Sequence, residues 1–189
     1  METKEKLNLT MLCDFYELTM GNGYFQSGLQ DRICYFDVFF RKCPDDGGFA
    51  IAAGLEQIID YIQDLHFDPQ DIAYLQGRNL FSPEFLEYLS RFRFTGDIWA
   101  VPEGTPIFPH EPIITVRAPA IEAQLVETFL LLAVNHQSLI ATKASRVVRA
   151  AEGRTVLEFA PRRAPRSAAP TLGAPAAHIG RCSGPAHHT

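Results

Sequence analysis

The sequence predicts a protein of the α/β class, and three observations support that prediction. Residues 33–41 (ICYFDVFFR) are rich in aromatic and β-branched side chains, which is typical of a strand. Asp68 and Ser82 are each followed by a proline and a carboxylate, a pattern that predicts the start of a helix. A strand-like segment, 154–160, follows a long helical stretch, and this alternation indicates an α/β unit.

The other elements follow from periodicity and from turn residues. Apolar side chains at helical spacing indicate helices, and clusters of proline, aspartate and glycine indicate turns. The patterns predict a helix over 11–27, a turn over 43–48, a strand that becomes a helix over 49–65, short strands over 97–101 and 113–117, and a long helix over 120–153 that breaks near Asn135.

Two of these elements carry further expectations. The many prolines between 97 and 117 predict edge strands and turns, since proline cannot donate to a central ladder. The stretch Leu130 to Val134 is apolar on most sides of its helix and should therefore be buried.

The first helix should have one packed face, formed by Leu12, Phe15, Leu18, Thr19 and Met20. Tyr16 and Glu17 fall outside that face. A phenol on the solvent side of a helix either covers a neighbouring chain or binds a flat ligand.

Composition restricts the class of partner and the cellular location. The 189 residues carry a formal net charge of -5, which argues against nucleic acid because phosphate backbones attract basic surfaces. No apolar run approaches the roughly 20 residues that a membrane helix needs, and METKEKLNLT lacks the apolar segment of a secretory signal. We expect a cytoplasmic protein.

The thiols and imidazoles show no metal-ligand spacing. Cys13, Cys34, Cys43 and Cys182 lack a C-x-x-C pattern, which favours small buried thiols over a disulfide framework or a zinc site. His136 lies in an apolar helical stretch and is interpreted as a hydrogen-bonded core residue.

Two basic segments are candidate anion sites. In LEFAPRRA, a strand ends at Phe159 and is followed by Arg162 and Arg163, at the end where α/β folds bind ligands. A solvated basic turn is the alternative explanation. In FFRK, Arg41 and Lys42 close a strand just before Gly47-Gly48, whose backbone either approaches an anion or forms a hairpin turn.

The C-terminal stretch, 161–189, has five prolines, seven alanines, four arginines and no acidic residue. Its net charge of +4 leaves -9 for residues 1–160. Proline at this density interrupts helices, so an irregular tail is predicted.

Five blocks of the sequence, taken in order, resemble the nicotinate phosphoribosyltransferase family over residues 8–164. They are DFYELTMGNGYF, FDVFFRKCPDDGGFAIAAGLEQIIDYI, FRFTGDIWAVPEGTPIFPHEPIITV, EAQLVETFLLLAVNHQSLIATKASRV and LEFAPRRA.

The resemblance implies roles for particular residues. Tyr16 would reach into a neighbouring subunit of a homodimer and stack on the pyridine ring, with Asp14 supporting the same site. Phe159 would cover the opposite face of the base, and Arg162 would lie beside nicotinate and the ribose phosphate. Arg41, with Lys42, would reach across the dimer toward phosphoribosyl pyrophosphate.

The implied reaction joins nicotinate to phosphoribosyl pyrophosphate and forms nicotinate mononucleotide in NAD biosynthesis. The pyridine nitrogen attacks C1 of the ribose as pyrophosphate leaves. Mg²⁺ and coupling to ATP are also implied, because both belong to the family's chemistry.

The resemblance also has a limit. The family pattern E-F-G-x-R-R-A-Q-G-P is EFAPRRAPRS here, with Ala160 and Pro161 at altered positions, and beyond Ala164 the match thins. The segment with the phosphorylated histidine is not among these residues. We therefore expect an N-terminal fragment that is inactive alone, with no catalytic residue of its own. A non-catalytic remnant or dimerisation module is the alternative, and an unrelated α/β domain is a third.

The domain organisation implied is a type II phosphoribosyltransferase fold with an incomplete α/β barrel. Residues 1–117 would form the N-terminal α/β domain, 118–163 the linking helices and first barrel strand, and 164–189 the irregular tail.

Overall fold

A computed structural model describes residues 8–159 and 168–185. The helices are α1 (Phe15–Gln26), α2 (Leu55–Asp64), α3 (Pro69–Gly77), α4 (Pro83–Ser90), α5 (Ala120–Leu125), α6 (Glu127–Ala150) and α7 (Ala168–Ile179), with a short 3₁₀ helix at Pro44–Asp46. The strands are β1 (Ile33–Val38), β2 (Ala50–Ile51), β3 (Asp97–Ala100), β4 (Pro106–Ile107), β5 (Ile114–Pro119), β6 (Leu157–Glu158) and β7 (Gly184–Pro185). Most of the predicted elements between 11 and 117 are thereby confirmed.

The chain divides into two compact units. Among the described residues, unit 1 comprises 8–36, 57–99 and 115–130, and unit 2 comprises 37–56, 100–114, 131–159 and 168–185. The 1–117, 118–163 and 164–189 division remains a prediction about domains.

Unit 1 contains most of a three-stranded sheet together with helices that pack on one another. The strand order is β1-β5-β3, and α1 packs against α4 and α5 while α3 packs against α4. The largest fully buried apolar side chains of this unit are Leu18, Ile58, Leu75, Phe85, Leu89, Ile121, Leu130, Val116 and Val126. Removing such side chains from water is the main force that holds the elements together.

The position of β5 corrects one prediction. β5 lies between β1 and β3, so it is the central strand and not an edge strand. Proline is compatible with this place because Pro112 precedes the strand and Pro119 ends it, which leaves the interior N–H groups available for pairing.

Both predicted helix starts are confirmed. At α4, the Ser82 hydroxyl accepts a hydrogen bond from the Phe85 N–H at 3.2 Å. At α3, the Asp71 carboxylate accepts one from the Asp68 N–H at 2.9 Å. These bonds satisfy backbone donors at the helix ends that have no partner inside the helix.

Unit 2 is built around the part of α6 that follows Leu130. β2 pairs antiparallel with β4, with Ala50 opposite Ile107. Hydroxyls of α6 bind the backbone near β2: Thr142 Oγ1 accepts from the Ile51 N–H at 2.8 Å, and Ser138 Oγ accepts from the Ala53 N–H at 3.1 Å. The hydroxyl side chains of α6 therefore fix this short strand to the helix.

The long helical stretch differs from its prediction in two ways. The interruption falls at Val126, between α5 and α6, and the helix continues through Asn135. Leu131 and Leu132 are 44% and 50% exposed, so the prediction that Leu130 to Val134 is buried is wrong at these two positions. Residues 120–150 are long and apolar enough to pass a membrane-helix test, but just over half of the most apolar part is buried inside the protein. Core helices of globular proteins pass the same test.

The tail prediction is wrong for residues 168–179, which form α7. β6, α7 and β7 make a strand–helix–strand unit in which the two strands are parallel. Pro170 lies in the first turn, where its missing N–H costs no helix bond, whereas Pro175 lies inside the helix with its ring exposed.

Small side chains explain why α7 forms despite its prolines. Ala174, Ala176 and Ala177 are buried, and Ala177 packs with Ala144 and Cys182. Such side chains allow the tail to approach α6 closely, and this packing overrides the poor helix propensity of the proline-rich sequence.

The four cysteines are free, and Cys43 and Cys182 are buried. Cys13 and Cys34 are half-buried. Burial raises the pKa of Cys13 to about 12, with neighbouring carboxylates acting in the same direction. Burial also raises the pKa of Cys182, so the thiols of Cys13 and Cys182 stay protonated and act as packing groups rather than nucleophiles.

Candidate functional site

Tyr16 lies in the first turn of α1 and is 43% exposed. The phenol donates a hydrogen bond to Glu127 Oε1 at 3.0 Å. Glu127 is the first residue of α6, and its other oxygen accepts a hydrogen bond from Gln124 Nε2 at 3.2 Å. Partial burial and this bond to a carboxylate raise the pKa of Tyr16 to about 12. The phenol therefore stays protonated at neutral pH.

Glu17, the next residue, is fully buried. Its Oε1 accepts hydrogen bonds from the Thr128 N–H at 3.2 Å and the Thr128 hydroxyl at 2.6 Å. The same hydroxyl oxygen accepts from the Asp14 N–H at 3.3 Å. The first turns of α1 and α6 are thus joined by hydrogen bonds.

The protonation of Glu17 is unusual for a carboxyl group. Burial raises its pKa to about 7, the Glu127 and Asp14 carboxylates act in the same direction, and the bonds from Thr128 oppose the shift. The second oxygen, Oε2, is buried without a hydrogen-bond partner among the described residues. The prediction that Glu17 lies off the packed face is wrong because the α6 N-terminus covers this side of α1.

Two further predictions about the face of α1 can be judged. Leu18 is 2% exposed and points inward as expected, whereas Phe15 is 44% exposed and meets Phe81 only edge-on, at 5.9 Å between ring centroids. The inward prediction for Phe15 is therefore wrong. It is also wrong for Leu12, Thr19 and Met20, which are all exposed. We call the exposed side chains of this surface the α1 apolar stripe: Leu12, Phe15, Tyr16 and Met20.

The remaining candidate residues belong to unit 2 or lie outside the described chain. Arg41 and Lys42 are exposed, shortly after β1. Phe159 is 70% exposed and directly follows β6. Arg162 lies outside the described residues. The structure brings Asp14 and Tyr16 together in unit 1, and their roles remain predictions.

The segment after Arg41 and Lys42 forms a turn. The Gly47 N–H donates to the Pro44 carbonyl at 3.1 Å, which occupies that N–H within the turn. Arg146 of α6 holds the turn through bonds to Asp45 Oδ2 and the Pro44 carbonyl, at 3.0 and 2.9 Å. Gly47-Gly48 therefore belongs to a turn, but the hairpin prediction is wrong because the flanking strands β1 and β2 lie in different sheets.

The described residues contain no cluster of three or more His, Cys, Asp or Glu side chains that could hold a metal ion. His136 is half-buried, and its Nδ1 has no hydrogen-bond partner within the described part of the chain. The interpretation of His136 as a hydrogen-bonded core residue therefore finds no support at Nδ1 and otherwise stays a prediction.

Sequence reasoning missed Glu127 and Thr128, which hold the first turn of α1. A signal was present, because Glu127 is the only acidic residue between Glu122 and Glu152. A lone carboxylate at the beginning of an apolar helical stretch favours a helix N-terminus, where it interacts with the helix dipole.

Comparison with known proteins identifies the class. The sequence-family model of the nicotinate phosphoribosyltransferase (NAPRTase) N-terminal domain matches residues 11–135 of this chain. Human nicotinic acid phosphoribosyltransferase superposes with a TM-score of 0.82 at 32% identity, covering 88% of this chain and 34% of the human chain. Nicotinate-nucleotide pyrophosphorylase from Pyrococcus furiosus superposes with a TM-score of 0.73 at 21% identity, over 99% of this chain and 40% of the other, which shows the fold alone.

Two curated relatives agree. Nicotinate phosphoribosyltransferase pncB2 of Mycobacterium tuberculosis is 48% identical over 154 residues, which are 82% of this chain and 33% of the relative. The Bacillus subtilis nicotinate phosphoribosyltransferase is 40% identical over 173 residues, 92% of this chain and 35% of the relative.

The fold is therefore that of the type II phosphoribosyltransferases, with an N-terminal α/β domain and the beginning of an α/β barrel. Within that class, the chain belongs to the nicotinate phosphoribosyltransferase family. It spans about a third of the length of the curated relatives it matches.

Proposed function

We propose that these residues are the base-stacking and subunit-contact part of an enzyme that joins nicotinate to phosphoribosyl pyrophosphate. The observation that carries the proposal is the state of Tyr16, whose ring is exposed while its hydroxyl is held by Glu127. A phenol held in this way presents an aromatic face outward. Stacking a flat pyridine ring on such a face contributes about 0.5–1.5 kcal/mol.

The proposal includes a homodimer. The α1 apolar stripe is an exposed row of side chains with Tyr16 in its middle. In the family resemblance, this tyrosine serves the site of the neighbouring subunit. A second copy of the chain that covers the stripe would both bury Leu12, Phe15 and Met20 and receive Tyr16.

The other roles are carried over from the resemblance. Phe159 is exposed and available for the second face of the base. Asp14 supports the tyrosine site, Arg162 contacts nicotinate and the ribose phosphate, and Arg41 with Lys42 approaches the phosphates. Guanidinium groups suit these anions because they donate two parallel hydrogen bonds.

The chemistry of the leaving group also needs a cation. When bound, Mg²⁺ would neutralise the charge that grows on the pyrophosphate as the C1 bond breaks. Such an ion would be held mainly by phosphate oxygens and water. Coupling to ATP, and a cytoplasmic location, are carried over as parts of the same proposal.

The 189 residues alone should not turn over substrate, because they span a third of the relatives' length. The second candidate function is a dimerisation module without catalysis, which the α1 apolar stripe also favours. Calorimetry with nicotinate and sedimentation of the chain separate the two. Dimers that bind nicotinate, with Tyr16→Ala weakening binding, support the enzyme proposal, whereas dimers indifferent to nicotinate support the module.

A turnover assay completes the test. The chain is joined to the part of the Bacillus subtilis enzyme that lies beyond the aligned region, and nicotinate mononucleotide is measured with phosphoribosyl pyrophosphate, Mg²⁺ and ATP. Product from this fusion, absent from the 189 residues alone, is the expected result. A fusion that folds and dimerises but forms no product contradicts the proposed reaction.

A further inference from the structure

We propose that Glu127 is a positioning residue that holds the Tyr16 ring in the orientation that receives the base, an inference that rests on the proposed function. The contact is direct, since the phenol donates to Glu127 Oε1 at 3.0 Å. Tyr16 is 43% exposed, so its own packing leaves part of the ring free to move. A hydrogen bond at the far end of the side chain is then the main restraint on the ring.

Glu127 is itself held from two directions. Gln124 Nε2 donates to its second oxygen at 3.2 Å, so both oxygens of the carboxylate are occupied. Glu127 also stands in the first turn of α6, where the backbone N–H groups favour a negative charge. The acceptor for the phenol therefore has a fixed place.

The neighbouring pair makes the arrangement rigid. Glu17 and Thr128 directly follow Tyr16 and Glu127 in the sequence, and the Thr128 N–H and hydroxyl both donate to Glu17 Oε1. The Asp14 N–H donates to the Thr128 hydroxyl at 3.3 Å. Each of the two helix ends thus contributes one residue to the part-buried Glu17–Thr128 contact and one to the exposed Tyr16–Glu127 bond.

The geometry gives Glu127 a role distinct from that of Tyr16. Tyr16 offers the aromatic face. Glu127 restricts the orientation of the ring before the base binds, so fewer orientations are lost when the base stacks on it. Restricting a side chain before binding improves affinity because less conformational entropy is lost in the complex.

The test compares single variants of the chain by two measurements. NMR of isotope-labelled tyrosine, with Tyr16 assigned by its loss in Tyr16→Phe, follows the ring and its titration. Calorimetry gives the affinity for nicotinate. Glu127→Ala should lower the pKa of Tyr16 from about 12 and weaken nicotinate binding about fivefold.

A conservative variant and a control separate positioning from a general structural role. Glu127→Gln keeps an oxygen that accepts the phenol proton, so it should restore most of the affinity. Glu87→Ala is the control. It removes an exposed glutamate of α4 that accepts a hydrogen bond from Arg91, and it should change neither the Tyr16 titration nor the nicotinate affinity. The double variant Tyr16→Phe with Glu127→Ala should bind no more weakly than the weaker single variant, because both remove one bond.

Two outcomes overturn the inference. One is a Tyr16 titration that Glu127→Ala leaves unchanged, and the other is an unchanged nicotinate affinity in Glu127→Ala when Tyr16→Ala lowers it. If the unmodified chain does not bind nicotinate, the proposed function is contradicted, and the titration alone then supports or overturns the positioning contact.

Discussion

Glu17 places a carboxyl group inside unit 1 with no exposed surface. Its pKa in the folded protein is about 7, above the ordinary value of 4.5, because burial disfavours the charged form. Between these two pH values the folded chain binds more protons than the unfolded chain. The free energy of unfolding must therefore fall as pH rises through this interval and level off above about 7.

Glu17→Gln should remove this slope. The amide keeps an oxygen that accepts from Thr128 and cannot ionise, so the variant should gain about 2 kcal/mol relative to the parent between pH 5 and pH 8, on the order expected for a shift of this size. Denaturant unfolding at a series of pH values measures it. Glu87→Gln, at an exposed site, is the control, and a slope that survives Glu17→Gln would assign the titration to another group.

The neighbouring side chains of α1 should divide sharply in their effect on stability. Leu18 is 2% exposed, so Leu18→Ala should lower the free energy of unfolding by about 2–5 kcal/mol. Phe15 and Tyr16 are 44% and 43% exposed, so Phe15→Ala and Tyr16→Ala should each cost about 1 kcal/mol or less. Thermal unfolding of the three variants decides. A loss with Phe15→Ala equal to that of Leu18→Ala would show that Phe15 is a core residue after all.

At the scale of elements, the sequence predicts those features that depend only on residues close together in the chain. The starts of α3 and α4 follow from Asp68 and Ser82, whose capping bonds close within three residues. The burial of Glu17 could not be predicted, because it depends on Thr128, more than a hundred positions away. The candidate site divides in the same way: the exposure of Tyr16 follows from helical spacing, while its bond to Glu127 requires the fold.

The tail shows how packing overrides propensity. Prolines at 165, 170 and 175 favour an irregular chain, yet α7 forms because Ala174, Ala176 and Ala177 fit closely in unit 2. No periodic pattern of large apolar residues predicts this contact, because the packed face is made mostly of alanine and glycine, with Ile179 at its end. A prediction that weighs hydrophobic size therefore misses it.

Close packing at the end of α7 gives a test of this element. A Cβ atom at Gly180 would lie 2.7 Å from the Ala144 Cβ and would meet the Ala141 carbonyl oxygen. Gly180→Ala should therefore destabilise the chain by about 1–3 kcal/mol. Gly23→Ala is the matched control, because nothing lies within 4 Å of that Cβ in α1 and alanine favours a helix by about 0.5–1 kcal/mol.

Denaturant unfolding compares these two glycine variants. Hydrogen exchange adds an independent measurement, since the amides of 174 and 176–180 should be protected in the parent and less so in Gly180→Ala. Fast exchange throughout this segment in the parent would mean that α7 does not form, and equal effects of the two alanines would exclude close packing at Gly180.

At the scale of the whole molecule, the family is established by residues 11–135, whereas the activity remains a proposal because the chain spans about a third of its relatives. The central claim is that Tyr16 acts in the site of a neighbouring copy. Its support is the exposed α1 apolar stripe, which includes Tyr16. If two copies share a site in this way, a mixed dimer of two different variants can keep one intact site, which is impossible when each site lies within one copy.

The most direct measurement is the nicotinate stoichiometry of a mixed dimer. One copy carries Tyr16→Ala and the other carries Phe159→Ala, each joined to the remainder of the Bacillus subtilis enzyme, and the mixed dimer is purified with two different tags. If Tyr16 serves its neighbour, the site that combines the intact Tyr16 and the intact Phe159 survives, and calorimetry should find one nicotinate bound per mixed dimer. No binding by the mixed dimer, with two nicotinates bound by the parent dimer, would contradict the account.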